Sequence, residues 1–138
     1  MKQGWMVVSP IKKNFQDTVY FGKLLGGQMA VAENNQTLQK MIQLMKSVSV
    51  CEVSFFTGFS DIEKEGHFVH EHTGEELDWD PWNRDQPNNY LQEEDCVVVS
   101  LGDILGDGFN DQSCSKEYCS ILREAFKKKK GLTYGNLP

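Results

Sequence analysis

Apolar residues follow a helical spacing in two segments of the first third of the chain. Residues 14–25 show this spacing roughly, and Gly26 and Gly27 then end the pattern, so a first helix is predicted there. Residues 34–47 show it clearly, and Asn34 or Asn35 can cap the second helix. The apolar residues of this second segment follow i, i+3, i+4, i+7 spacing: Leu38, Met41, Ile42 and Met45.

Short apolar segments separated by polar loops replace this pattern after residue 51. Strands are predicted at residues 53–59, 67–72 and 96–101, and an earlier one at residues 4–10. Residues 74–95 have little strand character, and their tryptophans and prolines argue against disorder, so a functional loop is predicted. Two helices ahead of a half made of strands and loops predict an α+β domain.

Length and charge narrow the classes of partner. A chain of 138 residues with 39% hydrophobic content forms one core. The net charge of -6 argues against nucleic acid, whose phosphates attract basic surfaces, and makes a cation the more plausible partner. The basic run at residues 127–130 is interpreted as a solvated tail. No stretch of the sequence is apolar over a membrane-spanning length.

The cysteines leave two interpretations open. None of the four forms a C-x-x-C or a cysteine and histidine zinc pattern. Cys96 and Cys114 bracket a strand and a loop, while Cys51 and Cys119 are far apart, which permits one short-range and one long-range disulfide. Four reduced, buried thiols are the alternative.

Oxygen-bearing side chains gather in five separate segments between residues 61 and 111. Calcium takes six to eight oxygen ligands from carboxylates and amide carbonyls. A single acidic cluster is usually solvated surface, but the agreement of five segments favours a metal site. Gln86 and Asn88 flank Pro87, and a cis peptide bond there would aim both amides to one side. Each amide could then offer its oxygen to calcium and its NH2 group to a sugar hydroxyl.

Signals for catalysis are missing from the sequence. There is no nucleophile elbow, no Ser, His and Asp order, and no phosphate-binding glycine loop. The histidines at positions 67, 70 and 72 are interpreted as strand residues. Glu93 and Glu94 are better explained as a metal ligand and its neighbour than as a glycosidase pair. The chain is therefore predicted not to be an enzyme.

Ordered motifs connect these features to a known family. They are residues 25–30 (LGGQMA), 56–61 (FTGFSD), 65–68 (EGHF), Trp82, 86–88 (QPN), 94–96 (EDC) and 109–111 (FND). From about residue 5 to residue 124 the chain resembles a C-type lectin domain, which carries L-G-G-x-L-A, W-I-G-L-x-D, E-G-x-W, an E-P-N or Q-P-D triplet and W-N-D at these places. The resemblance implies the C-type lectin-like fold: two helices, small antiparallel sheets and a long calcium-binding loop. It places the domain at residues 4–126 and a basic, glycine-containing tail at residues 127–138.

The resemblance also implies two calcium sites. The principal, sugar-binding ion would be held by Gln86, Asn88, Glu94, Asn110 and Asp111. An auxiliary ion would be held by Asp61, Glu65, Asn89, Glu94 and Asp95. In the family, E-P-N and Q-P-D distinguish mannose-type from galactose-type sugars, but both flanking residues here are amides. Tyr90, placed to stack on the apolar face of galactose, slightly favours that sugar, although it is equally well explained as a partly buried loop aromatic.

Disulfides implied by the resemblance are Cys96 with Cys114 and Cys51 with Cys119, the latter as in some invertebrate members. The bridge that usually ties the first helix to the last strand is missing. Phe21 or Gly22 and Leu122 or Arg123 stand at its two ends. Losing such a bridge costs on the order of 2 to 5 kcal/mol, so a marginally stable domain is expected.

The expected function is calcium-dependent binding of terminal hexoses on glycans, outside the cell, by a secreted protein or an ectodomain. The first four residues lack the apolar stretch of a signal peptide, so a secreted protein would contain this sequence as an excised piece. The domain could form homo-oligomers or belong to a multidomain protein. The alternative is a C-type lectin-like module that binds protein and not sugar.

Overall fold

A computed structural model describes residues 5–51, 53–83, 86–87, 89, 93–102 and 107–124. Two α-helices lie in the described N-terminal half, α1 (Phe15–Leu24) and α2 (Asn35–Lys46). The strands are β1 (Met6–Lys13), β2 (Gly27–Met29), β3 (Ser54–Ser60), β4 (Val69–His70), β5 (Cys96–Ser100), β6 (Gly108–Gln112) and β7 (Tyr118–Glu124). The predicted tail at residues 127–138 and both ends of the predicted domain lie outside the described residues.

Side-chain caps start both helices where the sequence predicts. The Asn14 side chain accepts a hydrogen bond from the Asp17 N–H at 2.8 Å, and the Asn34 side chain accepts one from the Thr37 N–H at 2.9 Å. The apolar face of α2 is buried, as its spacing requires. Both predicted helices are confirmed.

One mixed sheet connects the described strands, in the order β1-β7-β3-β5-β6, with β2 paired to β7 and β4 paired to β3. The predicted α+β, C-type lectin-like architecture is confirmed. The expected small antiparallel sheets are joined into one network because β3 and β7 pair in parallel at Phe55–Cys119 and Phe56–Ser120. The remaining described strand pairs are antiparallel.

The strand predicted at residues 67–72 is shorter than expected. Only Val69 and His70 pair as β4, and a turn follows in which Gly74 has a φ of +78°. The His70 ring closes this turn, because its Nδ1 accepts hydrogen bonds from the N–H groups of His72 (2.9 Å) and Thr73 (3.3 Å).

Two disulfides fasten the sheet. Cys51 is bonded to Cys119 of β7, and Cys96 of β5 is bonded to Cys114. These are the pairs that the resemblance implies, and no cysteine is free, so the reduced-thiol alternative is wrong.

An apolar contact stands where the family's usual bridge is missing. Gly22 of α1 lies against Leu122 of β7, and a Cβ added to the glycine would lie 3.6 Å from Leu122 Cδ2. Leu122 is buried in a core cluster that also contains Phe15 and Val19 of α1. The contact between α1 and β7 is therefore made by packing.

Candidate functional site

The segment that leads into the loop of the Gln-Pro-Asn triplet is fastened alongside β6. The Asn83 N–H donates to the Phe109 carbonyl at 3.0 Å, and the Phe109 N–H donates to the Pro81 carbonyl at 2.9 Å. The approach is close enough to require a glycine, since a Cβ on Gly108 would lie 2.6 Å from Asn83 Oδ1 and 2.8 Å from the Pro81 oxygen. The loop thus starts from a fixed position on the sheet.

Asn110 and Asp111 are adjacent on β6. Asn110 Oδ1 accepts a hydrogen bond from Asn83 Nδ2 at 2.9 Å, and its Nδ2 donates to Ser100 Oγ at 3.3 Å. Asp111 is only 2% exposed, and its Oδ2 accepts from the Asn89 N–H at 2.6 Å. A carbonyl oxygen has two lone pairs, so Asn110 Oδ1 keeps one for a further partner.

Gln86 has a buried oxygen that is not satisfied. The Gln86–Pro87 peptide bond is cis, and the Gln86 N–H donates to the Asn83 carbonyl at 3.0 Å. Gln86 Oε1 has no hydrogen-bond partner among the described residues. A buried acceptor without a partner costs about 1–3 kcal/mol, so a cation or a donor at this point would stabilise the loop. Asn88 and Tyr90, predicted beside it, lie outside the described residues.

Asn89 links the two predicted calcium sites. Its backbone N–H contacts Asp111, and its Oδ1 accepts from the Glu94 N–H at 3.1 Å. Its φ of 45° lies in the left-handed region, which asparagine tolerates better than most residues. Glu94, predicted in both sites, is partly buried.

Three carboxylates meet where β3 ends and β5 begins. Asp61, Glu65 and Asp95 each offer an oxygen, and these oxygens lie within 4.8 Å of one another. The antiparallel pairing of Ser60 with Cys96 brings the two chain segments together, and the Asp61 N–H donates to the Asp95 carbonyl at 2.9 Å. We call this group the carboxylate cluster. Among the described residues it is the one group of three or more His, Cys, Asp or Glu side chains close enough to share an ion.

Asp61 is the buried member of the carboxylate cluster. It is 2% exposed; its Oδ2 accepts from the Gly66 N–H at 2.8 Å, and its Oδ1 has no hydrogen-bond partner in the described part of the chain. Burial, and after it the neighbouring Asp95 and Glu65 carboxyls, raise the pKa of Asp61 to about 7, although the hydrogen bond from the Gly66 N–H opposes the rise. A bound cation would offset the free-energy cost of ionising this buried carboxylate, because its charge would neutralise the carboxylate cluster.

The three histidines are used structurally. His67 Nε2 contacts Glu76 Oε2. His70 is buried, which lowers its pKa to about 4, and its Nε2 lies 3.2 Å from the Gln28 amide nitrogen. Because Nδ1 accepts hydrogen bonds from two backbone N–H groups, the neutral ring carries its proton on Nε2. This Nε2–H group needs an acceptor, so the Gln28 amide must turn its oxygen, and not its nitrogen, toward the ring. The interpretation of the three histidines as strand residues is confirmed for His70 alone, since His67 precedes β4 and His72 lies in the turn that follows it.

Asn83 is a site residue that the sequence patterns did not indicate. It contacts Asn110 through its side chain and Gln86 through its carbonyl. The signal in the sequence is a polar residue between a tryptophan and the triplet, which is too common a pattern to be diagnostic.

Neither of the two described helices is long and apolar enough to cross a membrane.

Comparison with known proteins identifies the relatives of this chain. No protein-family model matches it. It is 27% identical to collectin-11 of Danio rerio over 95 residues, covering 68% of the chain and 34% of the collectin. It is 32% identical to the CD209 antigen of Homo sapiens over 118 residues, covering 78% of the chain and 25% of that protein. The chain spans well under half the length of these curated relatives, and neither of them bears the name of an enzyme.

Solved structures share the fold over nearly the whole chain. The C-type lectin CEL-I of Cucumaria echinata superimposes with a TM-score of 0.79 at 13% identity, covering 92% of this chain and 94% of that one. The mouse scavenger receptor C-type lectin carbohydrate-recognition domain gives 0.75 at 20% identity, with 93% of each chain covered. Herring type II antifreeze protein gives 0.76 at 17% identity, with 92% and 94% covered. Together with the sequence similarity to collectins and the CD209 antigen, these structures confirm the resemblance: the chain is a C-type lectin domain.

Proposed function

We propose that this domain binds carbohydrate through a calcium ion held by Gln86, Glu94, Asn110, Asp111 and Asn88. The observation that carries the proposal is the buried Gln86 Oε1, which belongs to the first residue of the triplet and has no hydrogen-bond partner among the described residues. Asp111 and Asn110 face the same loop through Asn89 and Asn83. The donor set is made of carboxylate and amide oxygens, which suits a hard cation such as calcium. When bound, the ion would supply coordination positions for vicinal sugar hydroxyls.

Charge in this principal site is low. Glu94 and Asp111 are its two carboxylates, so they neutralise a divalent ion without excess negative charge. Calcium affinity rises with the number of charged ligands. We therefore expect the principal site to bind calcium weakly.

The sugar class is proposed to be galactose-type rather than mannose-type. Gln86 and Asn88 are both amides, so their NH2 groups would donate to sugar hydroxyls while Glu94 and Asp111 accept. That arrangement of donors and acceptors does not distinguish galactose-type from mannose-type sugars. Tyr90 favours galactose, because an aromatic ring stacks on the apolar face of that sugar.

The carboxylate cluster is proposed to hold the auxiliary calcium ion, with Asn89 and Glu94 as further ligands. Three carboxylates within 4.8 Å and the unpartnered Asp61 Oδ1 support this assignment. Asn89 accepts from the Glu94 N–H and donates to Asp111. An auxiliary ion would thus help to order the residues of the principal site.

An extracellular location is proposed for the domain. Both disulfides favour an oxidising compartment. The structural relatives include proteins named as C-type lectin carbohydrate-recognition domains. Terminal hexoses of glycans are the proposed partner, and clustering in a homo-oligomer or a multidomain protein would strengthen weak single sites.

The test is retention on immobilised galactose, mannose and fucose, with calcium and then with excess chelator. Asp111→Asn removes one ligand charge with little change of shape, and Asp78→Asn removes an exposed carboxylate outside both proposed sites as the matched control. We expect calcium-dependent retention, strongest on galactose, by the wild type and by Asp78→Asn. Asp111→Asn should lose it while staying folded.

Failure of the folded, calcium-loaded protein to bind any of the three sugars would contradict the proposal. Protein recognition, the alternative drawn from the sequence, would then be the better hypothesis. Galactose and mannose bound equally would contradict the proposed sugar class alone.

A further inference from the structure

A modification signal that neither proposed calcium site uses lies at the start of α2. Residues 35–37 have the sequence Asn-Gln-Thr. This is the pattern N-x-S/T, with x other than proline, whose asparagine accepts an N-linked glycan in secreted proteins. Asn35 is the one asparagine in the sequence that is followed two residues later by serine or threonine. So short a pattern also arises by chance, so the place of Asn35 in the fold decides whether it can carry a glycan.

Asn35 lies on the surface of the domain. It is the first residue of α2, and both it and Gln36 are exposed. In the described part of the chain, the Asn35 side chain makes one hydrogen bond, in which its Oδ1 accepts from Gln39 Nε2 at 3.3 Å. A glycan is linked to the other end of the amide, at Nδ2. Attachment would therefore break no hydrogen bond of the fold.

The surrounding residues hold this attachment point in place without using its side chain. Asn34, and not Asn35, caps the helix, because its Oδ1 accepts from the Thr37 N–H at 2.9 Å. The segment that leads into the cap is fastened at Ala32, whose carbonyl accepts from Trp79 Nε1 at 2.8 Å. The buried face of α2 begins only after the pattern. A glycan on Asn35 would thus extend into solvent without displacing a core residue.

We propose that Asn35 carries an N-linked glycan when the chain passes through the secretory pathway. The donor is an oligosaccharide joined to a lipid through a diphosphate. Asn35 Nδ2 forms a bond to the anomeric carbon of the first sugar and gives up one proton. The bond between that carbon and the diphosphate oxygen breaks, and the lipid diphosphate leaves with the electron pair.

The position of the pattern in the first turn of α2 favours this reaction. The first N–H groups of a helix have no partner within the helix, so this turn opens readily and can enter the active site of a transferase. Once attached, the glycan would keep this end of α2 out of any interface between copies of the domain. The inference rests on the extracellular location proposed above and not on calcium or sugar binding.

The experiment is secretion of the whole chain from animal cells behind a leader peptide that is cleaved off. The intact mass is measured, and peptide-N-glycosidase in heavy-oxygen water then converts a glycosylated asparagine to labelled aspartate. Thr37→Ala removes the hydroxyl of the pattern and leaves Asn35 in place. Thr37→Ser is the matched control, because serine preserves the pattern. Asn34→Asp is a second control, since aspartate keeps the helix cap and Asn34 is outside the pattern.

We expect the wild type, Thr37→Ser and Asn34→Asp to be secreted with a glycan and to be labelled at Asn35 alone. Thr37→Ala should be secreted without a glycan. The glycosidase should act on the native wild type, because the attachment point is exposed. Peptide mapping without reduction should find both disulfides in every variant, which checks that each one is folded.

A folded, secreted wild type without a glycan would overturn the modification and leave the proposed function standing. Label at another asparagine, or a glycan that survives Thr37→Ala, would also overturn it. Retention of the wild type inside the cells, with its cysteines unpaired, would overturn the extracellular location and the modification together. Sugar binding is measured separately on protein without glycan, so its failure would leave the modification standing.

Discussion

Replacing Asp61 with asparagine has opposite effects on the calcium-free and the calcium-loaded protein. The carboxylate is 2% exposed and sits beside Glu65 and Asp95, and its Oδ1 has no hydrogen-bond partner among the described residues. An asparagine keeps an oxygen for the Gly66 N–H and presents an NH2 group to the two carboxylates. Without calcium, we predict that Asp61→Asn is more stable than the wild type.

The magnitude follows from the pKa. Burial first, and then the neighbouring carboxyls, raise the pKa of Asp61 from 3.8 to about 7. At about 1.4 kcal/mol per pKa unit, ionising this group above pH 7 costs the folded state up to about 4 kcal/mol. Removing that cost should raise the free energy of unfolding by about 2 to 4 kcal/mol, or the melting temperature by roughly 6 to 15 °C.

The sign depends on pH. A carboxyl whose folded pKa is raised binds its proton more tightly in the folded state, so the wild type loses stability as the pH rises from about 4 to about 7. The advantage of Asp61→Asn should therefore be small near pH 4 and reach its full size above pH 7. Calcium at one thousand times its dissociation constant should reverse the order, because the ion then stabilises the wild type by about 4.1 kcal/mol.

The assay is thermal and urea unfolding in chelator and in calcium, at several pH values. Glu63→Gln is the control, since Glu63 is exposed and lies outside the carboxylate cluster. If Asp61→Asn were less stable than the wild type in chelator at pH 8, a buried and costly carboxylate would be the wrong description of Asp61.

Three further outcomes are expected. Burial lowers the pKa of His70 from 6.5 to about 4. Because the unfolded chain then binds the proton at a higher pH than the folded chain, the free energy of unfolding should fall by up to about 3 kcal/mol as the pH drops from about 6.5 to 4. An NMR titration that gave the His70 imidazole a pKa near 6.5 would contradict this. Asn83→Ala removes the hydrogen bond to Asn110 Oδ1 and should weaken calcium binding at the principal site about tenfold in calorimetry, whereas unchanged affinity would remove Asn83 from the site. The double variant Gly22→Cys, Leu122→Cys, placed at the observed contact, should form a disulfide. In urea unfolding, the free energy of unfolding of its oxidised form should be about 4 kcal/mol higher than that of its reduced form. Equal free energies would show that the two positions do not support a bridge.

Elements with a strong local signal were predictable from the sequence. Helix α2 was predicted over residues 34–47 and forms over Asn35–Lys46, because the spacing of its apolar face and its Asn34 cap are both local features. Helix α1 and strand β5 were likewise predicted within one residue at each end. In each case packing reinforced what the local sequence favoured.

Elements set by tertiary contacts were not predictable in this way. Gly27 was interpreted as part of a helix stop, yet it opens β2, where a Cβ would lie 2.5 Å from the Trp5 ring and 2.6 Å from the Arg123 oxygen. That crowding depends on residues distant in sequence. The hydrogen bond between Asn83 and Asn110 likewise exists only because the loop lies against β6.

The candidate site was likewise predictable only in the part that depends on local sequence. Local patterns indicated that carboxylates and amides were concentrated in loops, but family motifs were needed to group them. Asp61 and Asp95 are distant in the chain and meet because β3 and β5 pair antiparallel, with Ser60 opposite Cys96. Local patterns do not contain such a pairing.

The most direct test of the proposed function is a crystal structure of the protein grown with calcium and methyl galactoside, with anomalous data to locate the ion. We predict a calcium ion bound by Gln86, Asn88, Glu94, Asn110 and Asp111, with vicinal hydroxyls of the sugar completing its shell. A calcium-loaded crystal in which this position holds no ion, or in which galactoside binds away from it, would contradict calcium-bridged sugar binding.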